Sequence, residues 1–319
     1  MLGEILAILA VLTFVISNVI FRKTESESTP LFINFFRTFI GTVTFIVLSI
    51  FLNIFNYIFL LPIEIWLLLF LSFVFGQVIG DTAYFIAQKE LGTTIALAVS
   101  MTFPLFTFIL SLLFLKRPFE LRMLMSLILV SLGIIIIGKN KISTDIIQEN
   151  ISYDYFTQNK PLKSIRKRTS IKGIIAGLFA SLGWAFGLII IDFITNRINN
   201  LLNINEMSSI IGNTIRFPFA LLILLALFIR ENKVSKQKKR RSLKTYILLL
   251  VGSIIGSSIG AYLYTEAART AGANVMSLIA AASPLFAIPL TYWVNKERLT
   301  KIGFIGVILT IIGVVILLL

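Results

Sequence analysis

"GQVIGDTAYFIAQKELG" (residues 76–92) returns 180 positions later as "GSSIGAYLYTEAARTAG" (residues 256–272). The match continues without a gap from 76–138 onto 256–318, with fifteen identical positions out of 63. Shared leucines and isoleucines are expected in so apolar a chain, but shared glycines, a proline, a tyrosine and a lysine are not. The chain therefore contains an internal duplication, and a fixed repeat of this kind determines how the whole fold is interpreted.

The duplication extends toward the start of each copy. "NFFR" (34–37) matches "NTIR" (213–216) at an offset of 179, and "GEILAILAVLTF" (3–14) matches "GIIAGLFASLGW" (173–184) at an offset of 170. The offset changes in the loop after the first apolar segment of each copy, where insertions are tolerated.

The composition places the repeats in a membrane. The 319 residues are 57% hydrophobic and 14% charged, with a mean hydropathy of +0.94, whereas soluble chains carry about 25% charged residues. Apolar runs of about 18 or more residues, each long enough to cross the bilayer, recur along the chain. We therefore predict an all-α polytopic membrane protein.

The apolar segments predict ten transmembrane helices, five in each half. The first half is 1–138, a polar linker follows at 139–170, and the second half is 171–319. Because five is odd, the second half must enter the membrane in the opposite sense, which makes the halves inverted repeats, as in many secondary transporters. The predicted spans are approximately 2–21, 30–52, 65–88, 92–115, 120–138, 171–194, 208–229, 245–268, 273–294 and 301–319.

Residue counts exclude several classes of chemistry. The chain has no cysteine and no histidine, which rules out disulfides, thiol nucleophiles and metal or haem sites built on those residues. No cofactor and no metal are expected. The net charge of +14 is concentrated in two loops, a distribution that favours lipid contact and topology over nucleic-acid binding.

Several motifs in series resemble those of a known family. They are an arginine early in the second span of each half, a glycine-rich third span, "SPLF" (283–286), "NKERLT" (295–300) and a glycine-rich last span. Together they resemble the EamA type of the drug/metabolite transporter superfamily. The resemblance implies ten helices in two inverted halves and alternating-access transport of small metabolites, amino acids or drugs, with no enzymatic activity. The family's acidic residue after the fourth span is Glu297 in the second half, where the first half has Arg117, with Glu120 nearby.

Glycines at four-residue spacing are typical of close contacts between membrane helices. They occur as Gly76 with Gly80, Gly183 with Gly187, Gly173 with Gly177, and in a run of three at Gly252, Gly256 and Gly260. We predict that they pack helices within one molecule.

Charged side chains inside a membrane are costly and usually functional. Arg37 and Arg216 lie about two turns inside their spans, and Asp81 and Asp192 are the acidic candidates at membrane depth. The arginines serve either as gates or anion contacts, or they extend to the interface. If the halves are inverted, the two arginines lie near opposite faces. The aspartates are partners of the arginines or proton carriers.

Aromatic and polar residues complete the predicted substrate path. Equivalent positions hold Phe14 and Trp184, and Tyr84 and Tyr264; they bind an amphipathic substrate or fill the core. Pro104 and Pro284 lie in the fourth span of each half, as hinges or as fixed kinks. Hydrogen bonds to substrate are expected from Ser100, Asn274 and Ser277. We expect a cavity between the halves, lined by spans one, three, four, six, eight and nine, with Tyr84, Tyr264, Trp184 and Asn274 facing it.

These observations favour secondary transport of small organic solutes as the function. The chain lacks a glycine-rich phosphate loop, so the energy source is a gradient and not ATP. The alternatives are a membrane-embedded enzyme acting on lipid, which the lack of histidine and cysteine disfavours, and a channel, which would need a continuous polar stripe. The expected partners are a small-molecule substrate and the lipid bilayer, with no nucleic acid, and the oligomeric state is left open between monomer and homodimer.

Loop charges predict the orientation in the cell membrane. Loops after odd-numbered spans hold 22 of the 29 lysines and arginines, and the other face holds five. Cytoplasmic loops carry the excess of basic residues, so both large basic loops should be cytoplasmic and both termini external. A cysteine introduced at Ser235 should react with an impermeant maleimide only after the cells are permeabilised. Labelling of Ser235→Cys in intact cells would mean that the orientation is inverted.

Overall fold

The fold is described from a computed structural model. It covers residues 1–91, 93–116, 120–133, 135–136, 171–234, 241–283, 285–287, 289–290 and 301–318. The predicted linker, the labelling position Ser235, and the residues Arg117, Pro284 and Glu297 lie outside these ranges.

Six helices make up the described part of the first half. A short 3₁₀ turn, Phe55–Leu60, connects the second helix to the third. The helices are α1 (Leu2–Arg22), α2 (Pro30–Phe51), α3 (Ile63–Leu91), α4 (Thr93–Ser100), α5 (Phe103–Phe114) and α6 (Leu121–Gly133).

The described part of the second half contains four further long helices. They are α7 (Ile171–Leu202), α8 (Met207–Val234), α9 (Leu243–Ala281) and α10 (Lys301–Leu318). In the described ranges no strand occurs. Six of the described helices, namely α1, α2, α3, α7, α8 and α9, are long and apolar enough to cross a membrane, and α5 and α6 are shorter apolar helices.

Local sequence signals explain where the helices begin and end. The hydroxyl of Thr29 accepts a hydrogen bond from the backbone N–H of Phe32 at 3.2 Å, and Pro30 occupies the first turn of α2, an arrangement that suits a residue without an N–H. Ser242 caps α9 in the same way. Asn53 and Asn203, just beyond α2 and α7, have positive φ angles, which asparagine tolerates better than most residues.

Two long helices are interrupted at matching places. Val74–Asp81 in α3 and Ile254–Ile259 in α9 are π-helical, and the second segment begins 180 positions after the first. Such π segments are rare and are frequently found at functional sites. Helix α9 also bends at Gly272, where φ is 84° and ψ is 162°, a conformation that L side chains rarely adopt.

The fourth predicted span is not a single continuous helix. It is divided at Met101 and Thr102 into α4 and α5, and Pro104 lies in the first turn of α5. Pro104 therefore lies at the beginning of a helix, and the fourth predicted span is broken just before it. Proline lacks an N–H, and the first turn of a helix leaves its N–H groups without intrahelical partners, so α5 accommodates the residue without losing a hydrogen bond.

Glycines bring α3 and α7 into backbone contact. A Cβ on Gly183 would lie 2.6 Å from the carbonyl oxygen of Phe75, and a Cβ on Gly187 would lie 3.0 Å from the Cα of Gly76. The predicted packing role of these glycines is confirmed. Small residues are what allow membrane helices to approach so closely.

An equivalent contact joins α9 of the second half to α1 of the first half. A Cβ on Gly256 would lie 2.4 Å from the Ser17 hydroxyl, and one on Gly260 would lie 2.7 Å from the Thr13 hydroxyl. Thr13 and Ser17 are the counterparts of Gly183 and Gly187 at an offset of 170. The first helix of each half therefore packs on the third helix of the other half.

The outer surface of the bundle is apolar. Phe51 is 80% exposed and Leu113 is 67% exposed, as expected of side chains that face lipid. Polar and charged side chains such as Arg37, Asp81 and Gln77 are instead buried between the helices. This inside-out distribution positions a polar site in the interior of the bundle.

We expect Gly183→Ala to destabilise the fold by about 1–3 kcal/mol, because the new methyl group overlaps the backbone of α3. The measurement is the Tm of the purified protein in detergent. Gly212→Ala is the matched control, since its Cβ would lie 3.6 Å from the nearest atom of Thr195 and alanine favours helix over glycine. Equal Tm losses in the two variants would contradict the proposed close contact.

Candidate functional site

A cavity of about 840 Å³, including its mouth, lies between the two halves. Both halves contribute to its wall. The lining includes Phe14 of α1, Arg37 of α2, Gln77 and Asp81 of α3, Met101 and Phe103 at the α4–α5 break, Trp184 of α7, Arg216 of α8, and Tyr264 and Met276 of α9.

An ion pair lies at the wall of this cavity. A guanidinium nitrogen of Arg37, Nη1, lies 3.2 Å from Oδ2 of Asp81, and both residues are buried. The Nε of Arg37 donates to the Ser257 hydroxyl at 2.8 Å, and the indole N–H of Trp184 donates to Oδ1 of Asp81 at 2.8 Å. Four helices, two from each half, therefore meet at one pair of charges.

Arg216 lines the same cavity. It is 4% exposed, and its guanidinium carbon lies 4.6 Å from the centre of the Phe73 ring. Among the residues that the structure describes, its Nε and Nη1 atoms have no hydrogen-bond partner. Arg37 and Arg216 therefore line one cavity.

Aromatic rings surround the centre of the cavity. The ring of Trp184 lies 5.8 Å from that of Phe14, edge to face, and 6.0 Å from that of Phe103. Tyr264 also lines the wall. Three of the four predicted aromatic residues, namely Phe14, Trp184 and Tyr264, therefore line one cavity.

Tyr84 lies behind this wall and does not line it. It is fully buried, 5.3 Å from Trp184 between ring centres, and its hydroxyl donates to Oε1 of Gln88 at 2.8 Å. Gln88 donates in turn to Glu25, which also pairs with Arg22. Burial raises the pKa of the Glu25 carboxyl, and the contacts with Gln88 and Arg22 oppose that shift. Tyr84 thus holds the cavity wall in position.

Asp192 stabilises a helix end outside the cavity lining. Its Oδ2 accepts a hydrogen bond from the backbone N–H of Ala273 at 2.7 Å, directly after the bend at Gly272, and its Oδ1 accepts from Asn196. A carboxylate is favoured at the beginning of a helix, where N–H groups lack intrahelical partners. Of the two predicted aspartates, Asp81 pairs with Arg37 and Asp192 binds the backbone at the bend of α9.

The three predicted hydrogen-bonding residues are buried away from the cavity lining. Ser277 donates to the carbonyl of Asn274 at 2.8 Å, and the amide of Asn274 lies 3.6 Å from the sulfur of Met123. The hydroxyl of Ser100 has no partner among the described residues. Of the two predicted hinges, Pro104 begins α5, and Pro284 is outside the described ranges.

Gln77 and Ser257 belong to the site but were not among the predicted residues. Gln77 lines the cavity, and its amide donates to the Thr38 hydroxyl of α2 at 2.9 Å. Glu266, outside the cavity lining, is a buried acid that was also not predicted; it is 3% exposed and pairs with Arg269 at 2.5 Å. The signal for Ser257 and Gln77 was available, because they occupy equivalent positions in the repeat.

We expect Asp81→Asn to lower stability by about 3 kcal/mol, because it leaves Arg37 as an uncompensated buried charge. The check is the Tm of the purified protein, compared with the double variant Arg37→Gln, Asp81→Asn. The double variant should recover much of the loss, since no charge then remains unpaired. A double variant that is less stable than Asp81→Asn would show that the pair is not the coupled unit described here.

Known proteins resemble this chain in sequence and in fold. The chain is 24% identical over 321 residues to a protein of Archaeoglobus fulgidus described as an uncharacterized transporter, covering 100% of this chain and 99% of the relative. A crystal structure with 11% sequence identity superposes with a TM-score of 0.72, covering 99% of this chain and 96% of the other, which supports the fold. Residues 1–139 and 171–319 match the EamA-like transporter family. The chain therefore belongs to the EamA-like transporter family and is a multi-pass membrane protein.

Proposed function

We propose that the protein is a secondary transporter that moves small organic solutes through the central cavity by alternating access. The observation that carries this proposal is a cavity lined by both halves, with charged groups buried at its wall. Intramembrane charges are expensive to bury and are usually retained where a substrate or ion passes. A lipid-modifying enzyme is not favoured by the family to which the chain belongs.

We further propose that the halves are inverted repeats and that the chain crosses the membrane ten times. Support comes from the paired π segments and from the reciprocal glycine contacts of α3 with α7 and of α9 with α1. The bend at Gly272 divides α9 into two parts that correspond to the eighth and ninth predicted spans. Inverted repeats with a site at their interface are a recurrent plan for alternating access.

Contacts between the halves are suited to exchange between two states. Ser49 and Thr214 lie 2.5 Å apart, Thr44 and Ser258 lie 2.8 Å apart, and Thr102 contacts Ser181 at 2.8 Å. Hydrogen bonds of this kind between membrane helices contribute on the order of 1 kcal/mol or less. Little free energy from a bound substrate is therefore needed to break these hydrogen bonds.

The substrate path proposed here consists of the predicted residues that line the cavity, namely Phe14, Arg37, Asp81, Trp184, Arg216 and Tyr264. The buried residues Tyr84, Ser100, Asp192, Asn274 and Ser277 would support its walls. We also propose that the two large basic loops are cytoplasmic.

The test is counterflow in proteoliposomes with labelled organic acids, amino acids, nucleosides and cationic drugs, using the double variant Ser49→Cys, Thr214→Cys as a switch. The native chain has no cysteine, and the two hydroxyl oxygens are close enough for a disulfide to replace their contact. We expect exchange in the reduced double variant and its loss on oxidation, because the disulfide joins the halves.

Each single cysteine variant is the control and should exchange substrate under both conditions. Reductant should restore exchange in the oxidised double variant. Absence of exchange with the whole panel would contradict the transport proposal. Undiminished exchange in a fully cross-linked protein would contradict relative movement of the two halves at α2 and α8.

A further inference from the structure

Arg216 is a buried cation that lacks a carboxylate contact within the described residues. It is 4% exposed, it lines the cavity, and its Nε and Nη1 atoms have no hydrogen-bond partner in the part of the chain that the structure describes. The face of its guanidinium packs on Phe73 at 4.6 Å. Donors in the plane of the group therefore remain available for a ligand, because stacking uses the face and hydrogen bonding uses the edge.

The repeat explains why this arginine is unpaired. Arg37, its counterpart in the first half, pairs with Asp81 at 3.2 Å. The position that matches Asp81 in the second half, 180 residues later, is Ala261, which also lines the cavity. The second half has therefore kept the cation and has a methyl group in place of the acid.

The cavity wall consequently carries an excess positive charge. Its described lining contains two arginines and one aspartate, so the wall has a net positive charge, even though Asp81 attracts both arginines and contacts Arg37. A buried charge is tolerated when it is paired and hydrogen-bonded. The geometry points to a substrate that supplies the missing carboxylate: a small organic monoanion that binds Arg216 through its carboxylate group. This inference rests on the proposed transport function.

The remaining lining indicates what the rest of the substrate looks like. Most of the cavity lining is apolar or aromatic, including Phe14, Phe73, Phe103, Trp184, Phe217 and Met276. An apolar body fits such a wall by surface burial and ring contacts. The donors of the guanidinium are held in place, and they can bind both oxygens of one carboxylate. This two-point contact adds specificity.

The charge distribution also argues against substrates that carry an amine. Asp81 is the acidic side chain of the described lining, and Arg37 and Trp184 already occupy its oxygens. An ammonium group in the cavity would lack a free carboxylate and would add to the positive charge near Arg216. We therefore infer that apolar monocarboxylates are preferred over amino acids and over cationic drugs. A dianion such as a phosphate monoester would leave one negative charge uncompensated.

The test uses three probes that share a phenyl ring and differ in charge: 3-phenylpropanoate, phenylalanine and phenethylamine. Binding to the purified full-length protein in detergent is measured as the ligand-dependent rise in Tm, over a concentration series at fixed ionic strength. A binder of the folded state raises Tm by mass action. We expect 3-phenylpropanoate to raise Tm at lower concentration than phenylalanine, and phenethylamine to have no effect.

Arg216→Gln should weaken binding of 3-phenylpropanoate by about 10- to 100-fold, the usual worth of a hydrogen bond to a charged group. The same variant should raise the Tm of the unliganded protein, because it removes an unpaired buried charge. A purely structural role for Arg216 predicts a lower Tm. Arg216→Lys should retain part of the binding, since the charge remains and the two-pronged geometry is lost.

Arg197→Gln is the matched control, because Arg197 is exposed and pairs at the surface with Glu64 at 3.4 Å. It should bind all three probes as the native protein does. The inference is overturned if phenethylamine or phenylalanine binds as well as the acid. It is also overturned if Arg216→Gln binds the acid undiminished, if chloride protects as well as the acid, or if no monocarboxylate of two to ten carbons binds.

Binding and transport can fail separately, which keeps this inference distinct from the proposed function. Arg216-dependent binding without counterflow would refute transport and leave the anion site intact. Counterflow of amines or nucleosides that is insensitive to Arg216→Gln would support transport and refute the anion site.

Discussion

The buried pair of Arg37 and Asp81 is the constraint on which the centre of the structure depends. Leaving either of these two charges unpaired in the apolar interior would cost stability, so α2 and α3 are constrained to hold them within reach of each other. Ser257 and Trp184 supply the hydrogen bonds that the pair still needs, and they come from the other half of the chain. Closing this network therefore fixes how the halves meet, and the cavity is the space that remains beside it.

The duplication preserves backbone geometry more strictly than chemistry. The π segments, the glycine contacts and the two arginines recur at equivalent places in both halves. The acid does not, because Ala261 stands where the first half has Asp81. A symmetric scaffold with one missing acid yields a cavity whose described lining has a net positive charge, and such a charge favours anionic over cationic ligands.

Much of the fold was predictable from the sequence, and less of the site. Apolar runs and repeated glycines predicted the long helices and close packing between helices, because both depend on residue types along the chain, but they did not predict that α3 and α7 are the helices that meet. The pairing of Arg37 with Asp81 was not predictable, since it depends on how α2 and α3 rotate about their axes. The burial of Tyr84 behind the cavity was missed for the same reason, since tertiary packing decides which side of a helix faces the cavity. The break before Pro104 was missed because residues 92–115 were interpreted as one apolar span, whereas the proline lies in the first turn of a second helix. The replacement of Asp81 by Ala261 could have been read from the repeat.

A ligand changes the balance between two conformations only by the difference in its contacts with them. Arg216 belongs to α8 of the second half, whereas the ring against which it stacks, Phe73, belongs to α3 of the first. A carboxylate bound to this arginine therefore sits at the junction of the halves, next to aromatic side chains from both. Any movement of one half against the other changes the distance between the cation and those rings, so an anion in the cavity cannot bind all arrangements of the halves equally. In the proposed transport mechanism, this dependence would let substrate binding shift the balance between the two states of access, because the arginine without a carboxylate contact lies between the repeats.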